Sequence, residues 1–287
     1  MISVMPGVIT IPLDPVLLRV GGLQLHWYGL AYVAAFAAGM RLTTGFLMRR
    51  GLTAKQCSDL FWWNIGVGLL GARLYFVLQQ PNLGDYLHNP IEIIAVWKGG
   101  MAFFGSLLAC LLTTVVFCYR QRLPVWAVLD AGAIFATLPQ AIGRLGNIIN
   151  GDILGPPSNL PWAVRYTNPH TFAPALGVAY QPAGAYELLG SLVLFGIVMA
   201  VLSRRPPDGV AGLVYIAAYP ISQLILFLFR ATEPVVALGL NQAQLTALAA
   251  LLLVFPLVLL MRLRFPQAFT TREPARLEPA RPAAEPG

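Results

Sequence analysis

The stretch DAGAIFATLPQAIGRLGNIINGDILG, residues 130–155, decides the fold class of this chain. Its first part belongs to an apolar span near residues 125–143, and a helix that crosses a lipid bilayer takes about 20 residues. Polar residues recur within it at spacings of three, four or seven, so they share one face of the predicted helix. They are Asp130, Thr137, Gln140, Arg144 and Asn147. The stretch therefore predicts a membrane helix with one polar stripe, kinked at Pro139 and broken by Gly151 and Gly155.

The composition of the whole chain agrees with a membrane location. Of its 287 residues, 57% are hydrophobic and 11% are charged, whereas soluble domains carry roughly 25% charge. The mean hydropathy is +0.68. These values exclude a disordered protein and a disulfide-stapled scaffold, and they disfavour a water-soluble enzyme. Cys57, Cys110 and Cys118 are interpreted as buried structural thiols.

Apolar stretches of similar length recur along the chain and predict the architecture. They cover residues 27–48, 59–78, 101–119, 125–143, 185–203, 211–229 and 241–261. The predicted fold is an all-α polytopic membrane protein with seven transmembrane helices. Residues 1–265 form the membrane domain, with outer loops at 79–100 and 151–184. Residues 266–287, rich in Pro, Ala, Arg and Glu, are predicted to be a disordered cytoplasmic tail, and the first residues lack the basic region of a signal peptide.

Basic residues separate the two sides of the membrane. Of the 19 Lys and Arg residues, 13 follow alternate spans or lie in the tail: Arg41, Arg49, Arg50, Lys55, Arg120, Arg122, Arg204, Arg205, Arg262, Arg264, Arg272, Arg276 and Arg281. The positive-inside rule makes their side cytoplasmic. The N-terminus is then outside and the C-terminus is inside.

Six basic residues remain after this assignment: Arg19, Arg73, Lys98, Arg144, Arg165 and Arg230. They fall at the outer ends of spans or in outer loops, where orientation does not require them. Ionisable groups in or near a membrane are costly and mark functional sites. The functional site is therefore predicted to face outward, and the net charge of +7 does not indicate nucleic-acid binding.

The end of the opening stretch has the chemistry of an anion site. Arg144 supplies a permanent charge and a planar fork of donors for phosphate oxygens. Asn147 and Asn150 add amide donors, and the neighbouring glycines permit a close approach of backbone. This pattern predicts a site for an anionic head group. The alternative is a helix-capping corner in which Arg144 reaches toward the interface.

A second polar stripe ends at another arginine on the same predicted side. Tyr215, Tyr219, Ser222, Gln223 and Arg230 recur along the sixth span. Two arginines on polar stripes at one interface suggest a clamp, although a single arginine there is usually an anchor.

Three further residues lie at outer span ends. Glu187 either orients an arginine or stays hydrated, and Tyr28 also fits an aromatic belt. His26 is the one histidine beside a span start. No P-loop, nucleophile elbow or metal-spaced His/Cys cluster is present in the sequence, so we expect no metal and no cofactor.

Five blocks, taken in order, give the chain a family resemblance: HWYGL (26–30), GARLYFVL (71–78), WKGGMAFFGS (97–106), GRLGNIINGD (143–152) and YELL (186–189). Together they resemble prolipoprotein diacylglyceryl transferase, a bacterial inner-membrane enzyme, over about residues 9–262. The fourth block is the most specific. The resemblance implies seven transmembrane helices with the N-terminus outside, in agreement with the charge pattern.

The resemblance also implies an activity and its partners. Such enzymes transfer diacylglyceryl from phosphatidylglycerol to the thiol of the lipobox cysteine in a prolipoprotein signal peptide, and release glycerol phosphate. Arg144 and Arg230 match the family's two essential arginines, and Asn147, Gly155 and Tyr28 match further functional positions. His26, Arg73, Asn150, Asp152 and Glu187 fall on recurrent positions of less certain role. The implied partners are these two substrates and membrane lipids, with no nucleic acid.

The chain departs from the family pattern at Phe104, where the family carries a histidine with an assigned catalytic role. Ala102, Ser106 and Pro156 also differ. Phenylalanine accepts no proton, so the proton acceptor is left open among His26, Glu187, Asp152 and water. Two alternatives stay open: an inactive family member that binds lipid or lipoprotein, and a small-solute or lipid transporter. The transporter is disfavoured because no internal repeat is visible.

Overall fold

The structure is a computed structural model that describes residues 7–80, 83–95, 99–230, 235–241, 244–249 and 251–252, with the single residues 256, 259 and 263. Helices dominate the described part of the chain. They are α1 (Trp27–Met48), α2 (Ala54–Leu78), α3 (Leu83–His88), α4 (Ile91–Ile94), α5 (Phe103–Gln121), α6 (Val125–Asn150), α7 (Ala183–Ser203) and α8 (Val210–Leu226). A 3₁₀ turn, Phe227–Phe229, continues α8.

Five of these helices are long and apolar enough to cross a membrane: α1, α2, α6, α7 and the continuous segment Val210–Phe229. The apolar part of α5, Gly105–Gln121, is shorter. The predicted spans at 27–48, 101–119, 185–203 and 211–229 agree with α1, α5, α7 and the segment Val210–Phe229 to within two residues at each end. The seventh predicted span, 241–261, falls largely outside the described residues, although residues 244–249 are helical.

Two helix boundaries were missed for identifiable reasons. Helix α2 begins at 54 rather than 59 because Thr53 and Gln56 form a capping box at its start. Helix α6 continues to Asn150 rather than 143, through Pro139, and ends at Gly151 with a φ of +75°. Gly39 lets α1 approach this proline closely, since a Cβ at Gly39 would lie 2.6 Å from Pro139 Cγ.

The all-α prediction was wrong in one respect, because the described segments also contain three small β-sheets. Strand β1 (Ile9–Ile11) pairs in parallel with β4 (Val164–Tyr166), which pairs antiparallel with β5 (Ala179–Tyr180). The antiparallel hairpins are β2 (Val16–Val20) with β3 (Leu23–His26), and β6 (Val235–Ala237) with β7 (Leu240–Asn241). Strands of two to five residues leave little periodicity to read, and the β1–β4 pairing is non-local.

We call residues 7–26 and 151–182 the cap. It rests on the C-terminal end of α6 through that helix's last carbonyl groups. The Tyr166 hydroxyl donates to the carbonyl of Ile148 (2.6 Å), and the Thr171 hydroxyl donates to that of Asn150 (2.8 Å). Burial raises the pKa of Tyr166, so its hydroxyl stays protonated as a donor. The end of α6 is therefore fixed against the cap.

The opposite end of the helix bundle has its own ionic contacts. Asp130 is fully buried, and its carboxylate accepts hydrogen bonds from the backbone N–H groups of Gly209 and Gly212, both at 2.8 Å. It thereby caps the N-terminus of α8. Arg50 pairs with Asp208 at 2.9 Å beside it. Asp130 shares the predicted stripe with Arg144, but 14 residues of helix separate them by about 21 Å.

Candidate functional site

Three charged side chains meet where α6 ends, α7 begins and α8 ends: Arg144, Glu187 and Arg230. We call them the ionic cluster. Arg230 Nε donates a hydrogen bond to Glu187 Oε1 at 2.7 Å, and Arg144 Nη2 lies 2.6 Å from Glu187 Oε2. Glu187 is only 2% exposed. One buried carboxylate thus holds both predicted arginines side by side.

The ionic cluster keeps donors for a ligand. The Arg144–Glu187 contact is short but lacks the alignment of a hydrogen bond, and Arg144 Nε is buried with no hydrogen-bond partner. Two guanidinium groups and one carboxylate leave a net charge of +1. A buried donor without a partner is costly unless a ligand satisfies it. The arrangement therefore suits an anion with several oxygen atoms, such as a phosphate diester.

A chain of polar side chains runs from Arg144 toward the cap. Arg144 Nη1 donates to Asn147 Oδ1 at 3.2 Å, and Asn147 Nδ2 donates to Asp152 Oδ1 at 3.1 Å. Tyr28 interacts with both Asn147 and Asp152, and its hydroxyl donates to that of Tyr32 at 3.0 Å. Asp152 is exposed, unlike the buried Asn147. Three more predicted site residues are thus joined to the ionic cluster, with a carboxylate at the solvent end.

Gly155 joins the cap to the segment that carries Arg230. Its N–H donates to the carbonyl of Gln181 at 2.9 Å. A Cβ at this position would collide with the backbone carbonyl of Phe229, the residue before Arg230. The predicted need for glycine at 155 is thus explained by close backbone packing rather than by positive φ.

Asn150 and His26 differ in how they relate to the cluster. Asn150 is buried near the end of α6, and its side-chain oxygen has no hydrogen-bond partner. His26 occupies the N-cap position of α1 without a capping bond. In the described part of the chain, no hydrogen bond joins His26 to Arg144, Asn147 or Glu187. Asn150 thus offers a free acceptor near the site, whereas no described hydrogen bond links His26 to these three residues.

Arg73 lies in a different setting from the ionic cluster. Its guanidinium donates to the backbone carbonyl groups of Glu92 (2.6 Å), Ile93 (3.2 Å), Gly99 (2.6 Å) and Gly100 (3.1 Å). The side chain is 3% exposed. These carbonyls end α4 and form the glycine turn before α5, so Arg73 fixes the loop between α2 and α5.

Arg73→Gln is expected to destabilise the protein by about 3 kcal/mol, because several buried carbonyl groups lose a charged donor at once. Lys55→Ala on the same helix is the matched control, since Lys55 forms only an exposed pair with Asp59. Thermal unfolding in detergent measures both. A melting temperature for Arg73→Gln equal to that of Lys55→Ala would contradict this role.

Several contacts near the cluster were not predicted from the sequence. Trp162 of the cap donates its indole N–H to the Tyr186 hydroxyl at 2.7 Å, and the Tyr186 ring packs edge-on against Phe229 at 5.3 Å. The position of Tyr186 next to Glu187 was the available signal. Conversely, the side-chain hydrogen bonds described for Thr137 and Ser222 of the predicted stripes lie within their own helices. Within the described ranges, no group of three or more His, Cys, Asp or Glu side chains could hold a metal ion.

Comparison with known proteins gives a consistent result. The family model for prolipoprotein diacylglyceryl transferase matches residues 15–261. The phosphatidylglycerol–prolipoprotein diacylglyceryl transferase of Geobacter sulfurreducens is 36% identical over 252 residues, covering 86% of this chain and 92% of that protein. The enzyme of the same name from Bordetella avium is 36% identical over 233 residues, covering 79% of this chain and 84% of its own. The chain therefore belongs to the prolipoprotein diacylglyceryl transferase family.

Proposed function

We propose that this chain transfers diacylglyceryl from phosphatidylglycerol to the lipobox cysteine thiol of a prolipoprotein and releases glycerol phosphate. The observation that carries the proposal is the ionic cluster, in which buried Glu187 aligns Arg144 and Arg230 while Arg144 Nε keeps no partner. The names of its relatives, phosphatidylglycerol–prolipoprotein diacylglyceryl transferase, support the same substrates.

The chemistry accounts for the two arginines. The cysteine sulfur forms a bond to the terminal glyceryl carbon, and the bond from that carbon to the phosphate oxygen breaks. The leaving glycerol phosphate takes the electron pair and gains negative charge. Donors that already point at that oxygen stabilise the transition state with little reorganisation. Arg144 and Arg230 are suited to this task, and the acceptor cysteine belongs to the substrate, so Cys57, Cys110 and Cys118 need no role.

The thiol proton needs an acceptor, and the contacts favour Asp152 over Glu187. Both oxygens of Glu187 contact arginines, so protonating Glu187 would disrupt two buried ion pairs. Asp152 is exposed and accepts hydrogen bonds from Asn147 alone among the described side chains. We therefore assign the proton acceptor to Asp152, which also removes the need for a histidine at Phe104, whose side chain lies outside the described part.

Asp152→Asn is expected to lower kcat about 100-fold, the usual scale of general base catalysis. The deficit should shrink between pH 7 and pH 9, because a free thiol with a pKa of about 8.5 ionises there without help. Glycerol phosphate release across this pH range measures the effect. Asp59→Asn, near the N-terminal end of α2, is the control. A loss of kcat in Asp152→Asn that stays constant with pH would contradict the assignment.

We also propose the topology that the charge pattern predicts: seven spans in the bacterial cytoplasmic membrane, with the ionic cluster facing outward. Arg204 and Arg205 follow α7 at the end opposite Glu187, and Arg50 pairs with Asp208 just beyond that same end. Under the positive-inside rule this end is cytoplasmic. The orientation is tested by introducing cysteines at 156 and 206 and treating intact cells with a membrane-impermeant thiol reagent. The proposed topology expects labelling at 156, and labelling at 206 alone would overturn the topology.

The activity itself is tested with purified protein, phosphatidylglycerol and a lipobox peptide. We expect glycerol phosphate to be released with a peptide that contains the lipobox cysteine and not with a peptide that has serine in its place. A protein that binds both substrates and releases nothing would instead be the binding-only family member that Phe104 allows.

A further inference from the structure

A second arginine environment lies in the cap, on the central strand of its three-stranded sheet. Val164 and Tyr166 of β4 are buried and pack with Leu154 and Tyr180. Because side chains alternate along a strand, Arg165 lies on the opposite face of the sheet. Its direct neighbours across the sheet are the small side chains of Thr10 and Ala179. The space above this face is therefore not filled by neighbouring strands.

This face borders a cavity of about 290 Å³. Its lining residues are Val8, Pro157, Ser158, Asn159, Arg165, Val178 and Ala179. Arg165 Nε is buried with no hydrogen-bond partner, and no ion pair to Arg165 occurs among the described residues. The Ser158 oxygen accepts a bond from the Leu160 N–H at 3.2 Å, so its proton is left for a ligand. The cavity thus offers two donors and a positive charge.

The cavity lies close to the ionic cluster along the chain. Gly155 packs against Phe229, next to Arg230, and Ser158 is three residues further on. Three residues span at most about 11 Å, since consecutive Cα atoms are 3.8 Å apart. An extended peptide advances about 3.3 Å per residue, so three or four residues cover the same distance. The cavity therefore begins within about 11 Å of Gly155, a distance that three or four residues of an extended polypeptide can cover.

We propose that this cavity binds an acidic side chain of the polypeptide acceptor, located about three to five residues after its cysteine. The inference rests on the proposed function, in which the acceptor continues past the cysteine on the side of the cap. The planar guanidinium of Arg165 and the Ser158 hydroxyl match a carboxylate. Val8 and Val178 provide apolar walls for its methylene groups. The cavity accordingly makes the enzyme selective for acceptors with an early acidic residue.

The test compares two lipobox peptides that carry Glu or Gln at the fourth residue after the cysteine. The cysteine is replaced by serine, so no transfer occurs, and binding to the full-length protein in detergent is measured without phosphatidylglycerol. The wild-type protein is expected to bind the Glu peptide about tenfold more tightly, the scale of one charge-assisted hydrogen bond. Arg165→Gln should remove this preference, and Arg165→Lys should keep part of it.

Arg19→Gln is the matched control, because Arg19 is an exposed arginine of the cap that pairs with Asp14 at 3.3 Å. It should keep the tenfold preference. Equal binding of both peptides by the wild-type protein, or a preference unchanged in Arg165→Gln, would overturn the proposal. Glycerol phosphate release with a cysteine-containing Gln peptide reports on the proposed function separately, since that reaction does not require the Arg165 contact.

Discussion

Arg144→Ala is expected to lower the rate of glycerol phosphate release by about a thousandfold. Arg144 has the one guanidinium Nε of the ionic cluster that is buried without a partner, and it holds Asn147 through Nη1. Removing a preorganised donor at a developing oxyanion costs a factor of about 10²–10³ in kcat, and the lost positive charge adds to that cost. The measurement is the single-turnover rate at saturating phosphatidylglycerol.

Two further variants separate charge from geometry at this position. Arg144→Lys keeps the charge but loses the planar fork, so we expect it to recover only part of the lost rate. Arg50→Ala removes an arginine of similar burial at the other end of the bundle, where it pairs with Asp208, and should stay within twofold of wild type. A rate for Arg144→Ala within tenfold of wild type would contradict the role of Arg144.

Glu187→Gln is expected to destabilise the protein by about 3 kcal/mol and to lower kcat at least 100-fold. The substitution leaves two largely buried guanidinium groups without their shared carboxylate, and breaking such an ion pair from one side is costly. The same change exposes both arginines to any added anion. Glycerol phosphate should therefore raise the melting temperature of Glu187→Gln more than that of wild type, because it supplies the missing negative charge.

Asp208→Asn provides the comparison for this experiment. This substitution also removes a carboxylate that pairs with an arginine, but at the opposite end of the bundle. Added glycerol phosphate should therefore raise the melting temperature of Asp208→Asn no more than that of wild type. Equal shifts for Glu187→Gln and wild type would show that the ionic cluster is not an anion site.

The membrane character and the helix positions could be predicted from the sequence because both depend on local composition. Apolar length locates α1 and α7, and alternation of basic residues predicts which ends share a side. Helix ends were less accurate where a single capping residue decides them, as the side chain of Thr53 and the positive φ of Gly151 do. Strand β1 and its pairing with β4 in the cap were missed because the two strands are about 150 residues apart in the chain.

The candidate site could be predicted in part for a similar reason. Arg144 and Asn147 share a helix face, and the observed hydrogen bond follows from that spacing. The meeting of Arg144, Glu187 and Arg230 depends on how three helices pack, which helix periodicity alone does not specify. Arg73 was predicted as a site residue because it is an arginine near a span end. Its guanidinium instead donates to loop carbonyl groups and does not join the ionic cluster.

The central claim is that Arg144 and Arg230 stabilise the leaving phosphate of phosphatidylglycerol while its diacylglyceryl group is transferred to a cysteine. Mass spectrometry of a lipobox peptide incubated with phosphatidylglycerol and purified protein tests it most directly. We expect the wild-type protein to add one diacylglyceryl group to the peptide cysteine and the double variant Arg144→Ala, Arg230→Ala to add none. A peptide modified equally by both proteins, or left unmodified by the wild type, would contradict it.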